Sequence, residues 1–281
     1  MLNEAQFAKD YERLFRSYER AAYVVFKKAL DAQCKAVATY AEANGVGLTA
    51  AILPALIDRS IMERAYIEAY TLIAQKHARN YSRLLDRLTK PGKSGIAPLE
   101  TKLIGFSSEW WRRVMEQFFR TEAAGRVTEV DDTTKKRIQV LLAEAQEQNL
   151  TTTRLARYLR EKLQDARFNA TRAMMIARTE STTGANVAAN MVAEEADFVL
   201  LKKWNAALDN RTRNSHRVVG KAEPIALEGL FEVPSPKGAG VEYARYPGDT
   251  SLSAGNCVNC RCVVSHVPAL DADGLPIPKP R

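Results

Sequence analysis

The segment Gly255-Asn256-Cys257-Val258-Asn259-Cys260-Arg261-Cys262 gathers three of the chain's four cysteines into a Cys-x-x-Cys-x-Cys spacing. A zinc ion takes four soft or borderline donors in a tetrahedron, and closely spaced thiolates on a tight turn converge on one ion. Three thiols need a fourth ligand, and the chain offers only three histidines. His77 falls in a helical region, and His266 follows the last cysteine on a strand candidate. His216 sits in a polar, loop-like stretch, Asp209-Asn210-Arg211-Thr212-Arg213-Asn214-Ser215-His216. The expected metal ligands are therefore His216, Cys257, Cys260 and Cys262. Zinc would staple a small, turn-rich module that has little core of its own. The alternative is three unliganded thiols that merely cluster. Cys34 stands alone in the helical region and reads as a small core residue.

Outward from this segment the chain changes character. Of 14 glycines and 11 prolines, fifteen fall from Gly220 onward, and none of the prolines lies between Pro98 and Pro224. The expected class is α+β: a mainly helical N-terminal two-thirds, then a small β-rich module. The boundaries read from this are a helical region over 1–128, a second domain over 129–268, and a proline-rich tail over 269–281. Within the second domain, helices span 133–196 and the β/zinc module spans 197–268. The tail is expected to be an extended arm or disordered.

The first helix carries an apolar stripe at steps of three and four: Phe7, Tyr11, Leu14, Phe15, Tyr18, Ala22, Val25, Phe26 and Ala29. Gly45 and Gly47 end it. A second helical stretch runs from about Leu48 to Leu88, with Pro54 tolerable near its start or at a kink. Lys90 to Gly95, with Pro98 beyond, reads as a loop. A third helix covers roughly Ser107 to Ala124. Asp132 or Thr133 is expected to cap a fourth that ends near Asn149. After a further cap signal at Thr151 to Thr153, a long helix spans about Ala166 to Ala196, with Gly184 as a potential interruption. Phe198 to Ala206 alternates as a strand, placing Phe198, Leu200, Trp204 and Ala206 on one face. Leu230 to Val233 and Cys262 to Val267 are shorter strand candidates.

The 281 residues carry 41 Lys and Arg against 33 Asp and Glu, a net charge of +8. That balance fits an acidic partner such as nucleic acid. Four cysteines exclude a disulfide-dense scaffold. The N-terminal MLNEAQFAKDYERLF is interrupted by charges and lacks the apolar core of a secretory leader. No apolar run approaches the length of a membrane span. Two stretches concentrate the basic residues. One contains Arg154, Arg157 and Arg160; the other contains Lys202, Lys203, Arg213 and Arg217. Such side chains make salt-sensitive, sequence-blind phosphate contacts, although a solvated helix face gives the same pattern. Asp209 and His216 also suggest acid–base chemistry, since an Asp orienting a His is a common catalytic pair. The stronger reading makes Asp209 and Asn210 a turn and Thr212 a helix cap.

Taken in order, Ile176-Ala177-Arg178-Thr179-Glu180, Trp204, Asp209-Asn210-Arg211-Thr212-Arg213, His216, Gly220 and Asn259-Cys260-Arg261-Cys262 resemble the Mu F-like minor head proteins of tailed phages, the phage head morphogenesis family. The likeness covers about Arg154 to Val267. Its motif residues here are Arg178, Thr179, Glu180, Asp209, Arg211 and Thr212. Members often carry a His shortly before the Asn-Cys-Arg-Cys segment; Cys257 stands there instead, an exchange that keeps a zinc ligand. The resemblance implies a non-enzymatic, structural virion protein located at the head or portal, and in the host cytoplasm during assembly. Its implied partners are the portal protein, a major capsid or scaffolding protein and double-stranded DNA, with no membrane. The competing class is a metal-dependent nuclease or other phosphate-acting enzyme using Asp209, His216 and the cysteines. Three thiolates argue against it, because hydrolytic metal sites favour harder ligands and an open position.

Overall fold

The apolar stripe of the first helix becomes the buried side of α1 (Glu4–Asn44), on which Tyr11, Phe15, Tyr18, Ala22, Phe26 and Leu30 are all buried. The structure, a computed structural model, describes residues 4–44, 48–89, 106–163, 165–207 and 209–280. The helix breaks expected at Gly45 and Gly47, and the loop at Lys90 to Gly95 with Pro98, lie outside the described residues.

Helices continue with α2 (Leu53–Leu56), α3 (Arg59–Thr89), α4 (Ser108–Phe118), a π-helical turn (Phe119–Ala123), α5 (Ala124–Glu147), α6 (Thr152–Leu163) and α7 (Ala166–Glu194). Five short antiparallel strands then appear among the described residues, so the class is α+β. The stretch read as one helix from Leu48 is two. Pro54 opens α2, and the chain leaves helical geometry at Ile57 (φ −89°, ψ 83°). The Asp58 carboxylate then restarts it by accepting the Ser60 backbone N–H at 2.9 Å.

The expected cap at Asp132 or Thr133 is not a helix start. Helix α5 runs straight through it, because the polar side chains there find partners inside the helix. The Thr133 hydroxyl donates to the Glu129 carbonyl at 2.8 Å and Thr134 to that of Val130 at 3.1 Å. The helix stops where expected: Asn149 takes a left-handed φ of 50°, and the Leu150 N–H bonds back to Ala145.

Strands β1 (Leu200–Asn205), β2 (Ile225–Ala226) and β5 (Val263–Pro268) form a sheet in the order β2-β1-β5. Leu200 pairs with Pro268 and Asn205 with Val263. Strands β3 (Phe231–Pro234) and β4 (Val241–Ala244) form a separate antiparallel pair. Two short helices, α8 (Asn214–Val219) and α9 (Ala254–Cys257), punctuate the strands. The proline-rich tail is neither an extended arm nor disordered over its described residues: it turns back at Gly274 (φ 77°), with Ile277 N–H donating to Ala269, and it pairs with the chain before β1, Val199 N–H donating to Ile277 and Lys279 N–H to Asp197. Among the described residues no helix is long and apolar enough to cross a membrane.

The chain divides into two compact units. One comprises the described residues within Met1–Glu19, Tyr70–Met115 and Arg178–Arg281; the other lies within Arg20–Ala69 and Glu116–Ala177. The second unit has a core of Val37, Leu53, Ile57, Ile138, Leu141, Leu159 and Leu163, with Cys34 among them. The first unit is built on the C-terminal half of α7, where every residue from Thr179 to Asn190 is buried. Gly184 does not interrupt α7. A Cβ there would sit 3.1 Å from Tyr70 Cδ1 and 3.4 Å from Ile73 Cγ2, so its absence lets α3 and α7 approach closely.

Candidate metal centre

Two turns of the β-rich module meet. The first begins at Asp209, whose Oδ1 accepts the Arg211 N–H at 3.0 Å and the Thr212 hydroxyl at 3.2 Å. This is the turn-starting role expected of an Asp. It launches α8 and presents His216 from its interior. The second begins with α9 and turns over at Cys257 to Cys260, where the Cys260 N–H bonds the Cys257 carbonyl at 3.1 Å. Asn259 holds a left-handed φ of 57°, which Asn tolerates better than most residues. Arg261 links the two turns: both guanidinium ends bind the Asp209 carboxylate, one at 2.9 Å to Oδ1. That contact is the main reason the Asp209 pKa falls to about 2.

The turns bring His216, Cys260 and Cys262 together. His216 Nδ1 lies 3.3 Å from Cys262 Sγ and 3.6 Å from Cys260 Sγ, and the three donor atoms lie within 4.8 Å of one another. Zinc bonds of about 2.3 Å to sulfur and 2.0 Å to nitrogen in a tetrahedron require N···S edges of roughly 3.6 Å. The donors are thus spaced for a single ion. The Cys262 N–H points at Cys260 Sγ at 3.4 Å, a contact that stabilises a thiolate. Between the sulfurs, Cys262 is the acidic member. Its pKa is lowered by the bond from Cys260, against burial, and further by His216. That same bond, then burial, pushes Cys260 up. His216, Cys260 and Cys262 are 1%, 2% and 2% exposed, so the donors are buried. The buried group supplies two thiols and one imidazole, soft and borderline donors of the kind zinc takes.

Cys257 is also buried, but its thiol is directed at the Gly248 carbonyl, 3.8 Å away, and it lies outside the close group. It is near enough for its charge to raise Cys260. The other imidazoles are committed elsewhere. His266 Nδ1 is 2.7 Å from the Tyr81 hydroxyl, with Nε2 3.1 Å from Asn190 Oδ1; His77 is bonded to Tyr18. Asp209 does not face His216 as a catalytic pair would, since its carboxylate is spent on Arg261 and its own turn.

Of the remaining motif residues, Arg178 and Thr179 reach the second turn. Arg178 pairs with Glu19 at 3.3 Å and reaches Asn259 Oδ1 at 3.5 Å. Glu180 is buried and accepts the Tyr70 hydroxyl at 2.5 Å. Thr179 Oγ1 accepts the Asn259 N–H at 2.9 Å. Arg211 is exposed. Three further residues, Thr182, Thr183 and Asn186, are not among those the sequence motifs single out. Thr182 donates to the Cys260 carbonyl at 2.6 Å and Thr183 to that of Gly248 at 2.7 Å. Asn186 donates to the Pro247 and Cys262 carbonyls, at 2.7 and 3.2 Å, and accepts the Val264 N–H at 2.9 Å. A signal for them does exist: Thr179, Thr182, Thr183 and Asn186 recur at steps of three and four within a helix, one polar stripe.

The basic residues separate into two kinds. Arg154, Arg157 and Arg160 are exposed on α6. In the second stretch, Arg213 is bonded to the Val258 carbonyl at 2.6 Å and Arg217 to that of Asp209 at 2.8 Å; Lys203 is half-buried. Lys202 corrects the expectation of a surface cation. It is 1% exposed, its amine lies 5.5 Å from the centre of the Phe231 ring, and burial lowers its pKa to about 8. The alternation that turns Leu200 and Trp204 inward turns Lys202 inward with them.

A family model described as Phage Mu protein F like protein matches residues 120–265, just over half of the chain. The matched region starts earlier than the motifs do, within the π-helical turn before α5, and it contains both turns of the centre. No curated protein and no solved structure matches the chain.

Proposed function

This chain belongs to the phage Mu protein F-like family, and from that membership we propose a structural minor head protein that works at the portal during head assembly. Membership makes it a phage head morphogenesis protein of a structural type, with the virion as its place. The finer reading adds portal association, contact with the major capsid or scaffolding protein, and residence in the host cytoplasm before packaging.

The observation that carries the non-enzymatic reading is the buried convergence of His216, Cys260 and Cys262. We assign this centre to zinc, with Cys257 as the fourth ligand once its thiol leaves the Gly248 carbonyl. That carbonyl would keep the Thr183 hydroxyl as a partner. A bound ion would supply a cross-link between α8 and the cysteine turn. DNA contact is assigned to the exposed α6 arginines, Arg154, Arg157 and Arg160. The 129–268 segment is proposed as the family domain, with 1–128 as the docking region.

Co-sedimentation of the purified chain with portal rings tests the assignment. Retention with the rings supports it, and a chain absent from assembled particles contradicts it. The nuclease reading has its own test: DNA cleavage that persists through purification and disappears in His216→Ala would replace the structural reading.

A further inference from the structure

Among the polar side chains that helix α7 buries, Thr179, Thr182, Thr183 and Asn186 form one stripe, where a core helix ordinarily buries apolar ones. Burying an unpaired hydroxyl or amide costs about 1–3 kcal/mol in proteins, so such a row persists only where it has partners. Here all four reach backbone groups of two loops, the one before α9 and the cysteine turn. The N–H of Asn259 and the carbonyls of Gly248, Cys260 and Cys262 are all taken. Asn186 also brackets Val263, directly after Cys262: it donates to the Cys262 carbonyl and accepts the N–H of Val264.

None of these four side chains supplies a donor atom to the close group. What they fix is the peptide planes on which the two sulfurs are mounted. A carbonyl held at 2.6 Å cannot rotate freely, and with it the Cys260 backbone torsions are set, hence the direction of its Sγ. The approach is tight as well. A Cβ on Gly248 would lie 3.1 Å from Thr182 Cγ2, and that residue's φ of +79° suits glycine.

We propose that Thr182 and Asn186 are positioning residues of the metal centre, holding the cysteine turn in a ligand-ready shape before the ion arrives. The inference rests on the zinc reading of His216, Cys260 and Cys262. Helix α7 then serves as the template of the centre, and the metal is received by a loop already formed. Groups that orient ligands in this way typically change metal affinity about 10–100-fold when removed.

The test uses the full chain, purified under reducing conditions, as wild type, Thr182→Val, Thr182→Ser and Asn186→Ala. Zinc affinity is read by competition with a chromophoric chelator, and coordination geometry by the visible spectrum of the cobalt-substituted protein. Thr182→Val and Asn186→Ala are expected to bind zinc roughly 10–100-fold more weakly, with altered cobalt bands. Thr182→Ser keeps the hydroxyl and is expected to match wild type, which a purely packing role for the threonine methyl would not predict. If Asn186→Ala fails to fold, the isosteric Thr182→Val and its serine counterpart carry the comparison. Wild-type affinity and spectra in both Val and Ala variants would overturn this inference alone. A wild-type chain that takes up neither zinc nor cobalt would overturn the metal reading beneath it.

Discussion

His77 is surrounded by the rings of Tyr11, Phe15, Tyr18 and Tyr81. His266 is held between Tyr81 and Asn190. Burial pushes both from the ordinary 6.5 down to about 3. An unfolded chain takes up protons on both imidazoles as pH drops through 6.5, while the folded chain refuses them until about 3. Their contribution to stability is therefore complete above about pH 6.5 and is lost progressively below it. Urea midpoints are expected to fall between pH 7 and pH 4, and His77→Phe is expected to flatten that fall; a pH-independent midpoint in wild type would contradict this. Burial lowers the Lys202 pKa in the same direction, but only to about 8, so at pH 7 its amine is charged while buried. Lys202→Met is expected to raise stability there by about 1–3 kcal/mol, read from denaturant midpoints. The convergence of His216, Cys260 and Cys262 is legible in the sequence because few side chains bind metal and the chain holds few of those, whereas the Cys257 thiol's direction is not. Lys202 is misplaced by composition, which counts a lysine as surface, whereas strand period decides which way it points.

At the scale of elements, α7 shows what periodicity can and cannot disclose. Its existence and extent are readable, and its stripe of Thr179, Thr182, Thr183 and Asn186 is visible too, but a buried polar stripe does not say which loop it meets. Gly184 reads as a weakness and is a close approach to Tyr70 and Ile73. Gly184→Val is expected to cost roughly 1–3 kcal/mol by overpacking, measurable by thermal or urea unfolding. Stability equal to wild type would show that α3 and α7 can part at little expense. The run from Ser108 to Glu147 reads as two helices with a cap between them, because Asp and Thr are among the commonest cap residues. Thr133 and Thr134 instead bond backwards along α5, and Asp131 is buried, accepting the Gln33 amide at 2.9 Å. A partner ninety-eight residues away in sequence cannot be seen from local pattern. The short strands β2 and β4 escape sequence reading for a local reason: β2 has two residues, and β4 buries only Ala244, whereas β3 alternates.

For the whole molecule, the shift in glycine and proline usage marks the passage from helices to strands, and the ordered motifs mark the family. DNA retention at low salt is expected to weaken in Arg154→Ala and Arg157→Ala, with a shallower salt dependence for each phosphate left without its arginine, and to be unchanged in Lys202→Met. Equal weakening in all three variants would show that net charge alone is read. The centre is expected to hold its ion whether or not partners are present, because its donors come from α8 and the cysteine turn of a single chain. Metal analysis by mass spectrometry on the native chain, purified without added metal and with thiols kept reduced, addresses this directly. The account predicts about one zinc per chain in wild type, and loss of that zinc in Cys262→Ser and in His216→Ala. Wild-type protein that is folded, reduced and free of zinc would contradict it.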